Sequence, residues 1–278
     1  MRFRTLAAAT VALLASAPAF AQGETKPITV SGSVTLVNDY RFRGVSQSDE
    51  ELAVQGGVSL THESGFYVGT WGSNLAGWGT FGGSNTELDL YGGFKTEVLS
   101  GITVDVGLTW NMCPGGASET DFAEPYIKVG TTLGPVSALV GVAYAPKQEA
   151  LGSWYLNGAS AASGVYDKPG DKAANGYVWT DISSAIPDTG ITVKAHLGYS
   201  RGNAGLGPNG TSVAPTGKYL DWMVGADYTI SPLTFGVAYV DTDISRAESA
   251  YLLPNFASTK DGSSIAAGMI LFSVTAAF

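Results

Sequence analysis

The chain has one cysteine, Cys113, and two histidines, His62 and His196, in 278 residues. A single thiol cannot form an internal bridge, so the fold must hold together without disulfides. Two histidines far apart in sequence do not make a metal site, and each reads as an ordinary polar residue of a strand or an interior. Charged residues are scarce at 14%. Beyond the N-terminal segment there is no run of about 20 apolar residues, the length a spanning helix needs. If the chain crosses a membrane, it must do so as a closed barrel. Glycine-rich phosphate loops between a strand and a helix are also missing. The formal net charge of −9 disfavours nucleic acid as a partner, because an acidic chain repels phosphates. No cofactor, no metal and no enzymatic activity are expected.

The N-terminus is built for export. Arg2 and Arg4 form a charged region, Leu6 to Ala17 a short apolar core, and Ala19-Phe20-Ala21 a small-x-small cleavage site. Residues 1–21 therefore read as a signal peptide and 22–278 as one domain of 257 residues. Removing Arg2 and Arg4 makes the formal charge −11. With no cysteine after the cleavage site, lipoprotein processing is not expected.

Alternation and turn chemistry mark twelve strands, near 28–43, 52–62, 66–75, 86–98, 102–112, 122–132, 136–145, 176–186, 191–200, 218–230, 233–242 and 264–278. Short and long connections alternate along the chain. Glu63-Ser-Gly65, Leu99-Ser-Gly101, Leu133-Gly-Pro135, Pro187-Asp-Thr-Gly190 and Ser231-Pro232 are tight turns. The segments near 44–51, 76–85, 113–121, 146–175, 201–217 and 243–263 are long. A transmembrane antiparallel up-and-down β-barrel has this asymmetry, with short periplasmic turns and long extracellular loops. A soluble sandwich has no reason to gather every long loop at one end. Length supports the same reading, since most of these strands reach the about 9–11 residues needed to cross lipid, whereas globular strands peak near about 5–6.

The faces follow from parity. On the fifth strand Ile102, Val104, Val106, Leu108 and Trp110 oppose Thr103, Asp105, Thr109 and Asn111. The first strand points Ile28, Val30, Val34 and Leu36 outward, and continued parity puts Tyr40 and Phe42 in an outer aromatic girdle. The third and eighth strands carry aromatics on both faces and are ambiguous. The same parity sends nine acids inward, Asp39, Glu87, Asp89, Glu97, Asp105, Glu124, Asp181, Asp221 and Asp227. Five bases join them: Arg41, Arg43, Lys95, Lys128 and Lys194. A pore with that lining would weakly prefer cations, while the same charges could instead close on one another as a salt-bridge plug. The long 146–175 segment is able to fold in and restrict the lumen. Asp241 and Asp243 could hold calcium, but no ligand spacing follows them, and a solvated loop mouth is the simpler reading. Cys113, in a Pro-Gly-Gly segment, is a loop residue without a role. The last strand alternates up to Phe278, which suggests a signal read by the barrel-assembly machinery.

Three segments resemble a known family: Asn38-Asp-Tyr-Arg-Phe-Arg-Gly-Val-Ser-Gln-Ser-Asp49, Ala53-Val-Gln-Gly-Gly57 and Glu63-Ser-Gly-Phe-Tyr-Val-Gly-Thr-Trp-Gly-Ser-Asn74. Glu87-Leu-Asp-Leu-Tyr-Gly-Gly-Phe94 and Asp121-Phe-Ala-Glu124 extend the likeness. The family is that of the TorF porins, also described as Gcw_chp, bacterial proteins of unknown function. The match is dense over residues 28–130 and general afterwards. Pro125 departs from the pattern and should lie at a strand end or bulge. The resemblance implies an exported outer-membrane barrel in contact with outer-membrane lipid. Its expected role is a channel for small polar solutes or ions, and the alternative is a closed barrel with a structural or surface role. No binding residue transfers with it.

Overall fold

The computed structural model describes residues 27–278, and the predicted signal peptide at 1–21 lies outside them. The strands are β1 (Ile28–Val37), β2 (Arg41–Phe42), β3 (Val45–Ser46), β4 (Ala53–His62), β5 (Phe66–Asn74), β6 (Thr86–Leu99) and β7 (Ile102–Met112). They continue as β8 (Phe122–Leu133), β9 (Val136–Gln148), β10 (Ala173–Ala185), β11 (Ile191–Arg201), β12 (Lys218–Ile230), β13 (Leu233–Thr242) and β14 (Met269–Ala277). All but β2 and β3 form one closed antiparallel barrel, each strand pairing with its neighbours in the chain and β1 closing onto β14. The twelve strands, the tight turns and the long connections are those expected from the sequence. Glycines at positive φ make the tight turns possible, among them Gly65 (φ 99°) and Gly101 (φ 77°).

Alternation sorts the side chains into two shells. Outward residues are mostly apolar and bare: Val106 is 51% exposed, Trp110 46%, Val224 55% and Phe272 61%. A soluble barrel would bury that surface; on a transmembrane barrel it is the belt that meets lipid. Inward residues are mostly polar, aromatic or small, with a few aliphatic ones such as Val240 and Leu139. The two ambiguous strands resolve here. On β5, Tyr67 and Trp71 point in while Phe66 and Val68 point out, and on β10, Tyr177 and Trp179 are buried inside while Val178 and Ile182 are exposed.

Three expectations are corrected. β1 stops at Val37 rather than running to residue 43. The chain then turns inward as the small hairpin β2–β3, with Arg43 (φ 49°) and Gly44 (φ 79°) at its turn. Tyr40 and Phe42 are therefore not in the outer girdle: Tyr40 is buried against Trp71, ring centroids 5.4 Å apart. Secondly, the segment that enters the lumen is this hairpin and not 146–175. The latter forms helix α1 (Gly158–Ser163) and packs among the outer loops through Tyr155, which pairs with Leu206. Thirdly, Pro125 lies within β8 opposite Leu108 of β7, not at a strand end. Its missing N–H is tolerated because the pairing with β9 stops at Tyr126, one residue away. Beyond that point the Gln148 side chain takes over, accepting from the Ala123 N–H at 2.8 Å and donating to the Ala123 carbonyl at 2.9 Å.

Candidate functional site: the plugged lumen

The outer half of the barrel is closed twice. Above the rim, Val45, Trp78, Tyr155, Leu206, Leu252 and Phe256 belong to one buried apolar cluster that draws on the first, second, fourth, fifth and sixth long connections. Beneath it, the β2–β3 hairpin sits in the lumen, held by two buried arginines. Nη2 of Arg43 donates to both carboxylate oxygens of Glu124 at 2.8 and 2.7 Å, and Nη1 to Asn175 Oδ1 at 2.9 Å. Its guanidinium lies over the Tyr177 ring, 4.0 Å from the centroid. Such a contact adds a cation–π attraction, which is larger where water is excluded. The Arg41 Nε donates to Asp39 at 2.5 Å, and its Nη1 to the carbonyls of Gly44, Ile265 and Ala267, each at 3.0 Å. Arg41 thus ties the hairpin to the last loop and Arg43 ties it to the wall. Asp39 is fully buried and also accepts from Ser46 Oγ at 2.6 Å and Ser48 Oγ at 3.0 Å. Burial pushes the Glu50 carboxyl up, against the pull of Arg41 at 3.4 Å.

Further in, the wall is cross-linked by pairs. His196 has Asp181 at 2.6 Å on Nδ1, and Asp221 at 3.1 Å and the Tyr177 hydroxyl at 2.9 Å on Nε2. Lys194 bonds Asp227 at 2.7 Å. Lys128 lies 3.8 Å from Asp105 and over the Tyr126 ring. The Tyr67 hydroxyl donates to Asp105 at 2.5 Å. Lys95 faces Asp105 across the β6–β7 ladder. Glu97, at the periplasmic end, accepts from the Gly101 N–H. At the outer ends of the same strands, β6 and β8, Glu87 hydrogen-bonds Tyr40, and Asp89 stands near Glu87 and Glu124 with one carboxylate oxygen buried and unpartnered. Arg43 is paired with Glu124 in this group of three carboxylates.

The inward positions named from the sequence therefore all face the lumen or lie in the hairpin that fills it. Parity missed what links them, namely Tyr177, Asn175 and the tyrosines Tyr67 and Tyr126, whereas His196, read as an ordinary interior polar residue, joins Asp181 to Asp221. The available signal was the glycines opposite these rings. A Cβ at Gly198 would overlap the Tyr177 hydroxyl, and one at Gly141 would overlap the Trp179 ring. Gly198→Ala should accordingly destabilise the barrel by about 1–3 kcal/mol through overpacking, read as a lower temperature of conversion from folded to unfolded migration on gels.

Solvent reaches the lumen unevenly. Inward residues of the outer half, such as Asn111, Glu124, Asn175, Ser200 and Asp221, are buried. Those toward the tight turns, including Ser31, Ser59, Lys95, Asp181, Ser183, Lys194 and Asp227, are partly exposed, the Lys194 and Asp227 side chains at 12% and 17%. The result is a polar vestibule open toward the tight-turn end under a closed outer half. Beside the hairpin a cavity of about 20 Å³ between Phe42, Glu87, Asn111 and Cys113 has room for little more than one water. Burial pushes the Cys113 thiol up, out of the reactive range. Asp241 and Asp243 do not share a site, for Asp241 accepts from Tyr239 Oη at 2.7 Å and Asp243 from the Leu220 N–H at 2.7 Å.

The family model described as "Bacterial protein of unknown function (Gcw_chp)" matches residues 21–278. Among solved structures the chain is similar to a KdgM porin in complex with disordered oligogalacturonate. That pair has 9% identity and a TM-score of 0.49, covering 90% of this chain and 98% of the other. It is similar to a porin at 9% identity and a TM-score of 0.42, covering 90% and 100%. It is also similar to the COG4313 outer membrane channel from Pseudomonas putida F1, at 10% identity and a TM-score of 0.43, covering 90% and 97%. No curated protein matches it.

Proposed function

We propose that this chain, which belongs to the Gcw_chp family of bacterial proteins, is an outer-membrane channel for small polar solutes or ions, held shut at rest by its first extracellular loop. The observation that carries this reading is the partly exposed polar vestibule. A barrel with a purely structural role has no need of a wet, charged lumen beneath a plug. A through-path requires one further event, withdrawal of the 41–46 hairpin and the loops above it. Withdrawal takes Asp39, Arg41 and Arg43 out of the lumen and leaves eight of the inward acids facing Lys95, Lys128 and Lys194. It also uncovers Glu87, Asp89 and Glu124 together. The open state should therefore prefer cations, with Asp105, Asp221 and Asp227 lining the rest of the path. The apolar cap favours a second reading, a permanently closed barrel with a structural or surface role. Planar-bilayer recording separates the two: brief cation-selective openings of the wild type support the channel, and silence of both wild type and plug-weakened variants leaves the closed barrel.

The Phe278 side of the seam bears on assembly. Phe278 exchanges two backbone hydrogen bonds with Gly32, each 2.9 Å, and its exposed ring stands beside that glycine. We expect deletion of Phe278 to remove this closing pair and the aromatic read by the barrel-assembly machinery. The amount of folded barrel in the outer membrane should fall and periplasmic precursor should accumulate. Normal folded yield from the deletion would count against both roles.

A further inference from the structure

The outward face of the barrel carries a like-charge pair where it should least occur. Arg201 and Lys218 are direct cross-strand partners at the extracellular ends of β11 and β12, and both side chains are exposed on the lipid-facing parity. Like charges directly opposite on a sheet are destabilising. Neither has a carboxylate within ion-pair distance among the described residues. No other lysine or arginine occupies an outward position in the paired ladders. The next two outward pairs toward the membrane are Tyr199 with Leu220 and Leu197 with Trp222, so the two cations cap an apolar and aromatic column. A groove of about 330 Å³ opens beside Lys218, between Tyr199, Thr216 and Leu220 on one side and Asp243 and Glu248 on the other.

We propose that this rim is a binding site for a phosphorylated lipid of the outer leaflet, its phosphate shared by Arg201 and Lys218 and its acyl chains lying along Tyr199, Leu220 and Trp222. An anion between the two cations converts their repulsion into attraction. The position, at the end of the spanning strands, is where headgroups lie. The nearby acids argue for a lipid over free phosphate. Asp243 accepts from the Leu220 N–H at 2.7 Å, and Glu248 caps helix α2 (Arg246–Ser249), accepting from Ser245 N at 3.1 Å and Oγ at 2.8 Å. Each is engaged by the fold, and a carboxylate in that place repels a loose anion in the groove. A lipid offsets that repulsion with chain contacts that inorganic phosphate lacks.

The test is native mass spectrometry of the purified, folded barrel in neutral detergent. Its probes are a diphosphoryl glycolipid, the same glycolipid dephosphorylated, and inorganic phosphate. We expect one diphosphoryl lipid to be retained by the wild type. Its affinity should fall about thirtyfold in R201Q/K218Q, at roughly fivefold per membrane-surface cation, and stay unchanged in K168Q/K172Q, which removes two loop lysines elsewhere. Heat-modifiable migration establishes that each variant is folded, and the single variants R201Q and K218Q give intermediate losses if the double does not fold. Equal retention by wild type and R201Q/K218Q, equal retention of the dephosphorylated lipid, or full competition by inorganic phosphate would each overturn the proposal.

Discussion

Arg41→Ala/Arg43→Ala is expected to turn a mostly silent barrel into a frequently conducting one. Arg43 compensates Glu124 where water is excluded, and removing one partner of a buried pair typically costs about 3–5 kcal/mol. In this fold the cost need not unfold the barrel, because the strand ladders do not depend on the hairpin. It is relieved instead when the hairpin leaves and Glu124 is hydrated. A bias of about 5.5 kcal/mol is enough to carry a two-state equilibrium from mostly shut to mostly open. Bilayer recordings should show open time rising by an order of magnitude or more. In a salt gradient the reversal potential should show the same cation preference as the brief openings of the wild type, since the hairpin has left the path in both and Glu87, Asp89 and Glu124 line it. No conductance from the double variant, in protein shown to be folded, would contradict the gate assignment.

Val106→Arg should be the most damaging single substitution on the outer surface. Val106 stands mid-strand on β7 with half its surface bare, and a cation there faces hydrocarbon at a cost of about 2–4 kcal/mol. The control has to be chosen with the filled lumen in mind. Gly107, the inward neighbour, is unsuitable, because a Cβ there already crowds the Tyr126 ring and the Gly92 carbonyl. Thr103 is inward, half-exposed and in the periplasmic third of the same strand, so Thr103→Arg reaches water. Urea or thermal unfolding in lipid should show a large loss for V106R and a small one for T103R. The reverse order would invert the inside and outside faces.

These contrasts also show how far the residues alone could be read. Strand number, turn positions and the lipid face followed from local rules, namely period-2 alternation, glycine at turns, and the spacing of short and long connections. Each is decided within a dozen residues. The course of residues 38–50 was not legible in that way. Parity carried β1 past Val37, although Asn38-Asp39 and Arg43-Gly44 are turn formers, because the apolar alternation of Tyr40 and Phe42 imitates a strand. The partners of Tyr40, Trp71 and Glu87, and those of Phe42, in the cluster of Phe122 and Val213, are distant in sequence, and nothing local says that the barrel interior rather than lipid will cover them. The same limit hid the lumen network. Asp181, His196 and Asp221 occupy three neighbouring strands at one height, and that height is set by the register of the closed ladder, which only the assembled barrel defines. The aromatics on both faces of β5 and β10 obscured the alternation for a related reason: here the interior is filled with rings instead of being left to water.

In the proposed resting state the lumen is open to the periplasm and sealed from outside by the hairpin and the loops above it. Single cysteines at Ser183 and at Ser31, placed in a Cys113→Ser background, report on this directly when the barrel is reconstituted in one orientation in liposomes. A small membrane-impermeant thiol reagent should label both cysteines quickly from the periplasmic side and hardly at all from the extracellular side, and R41A/R43A should make them reactive from both. Equal labelling from the two sides of the otherwise unaltered barrel would show a lumen already open, and would contradict the hairpin as its gate.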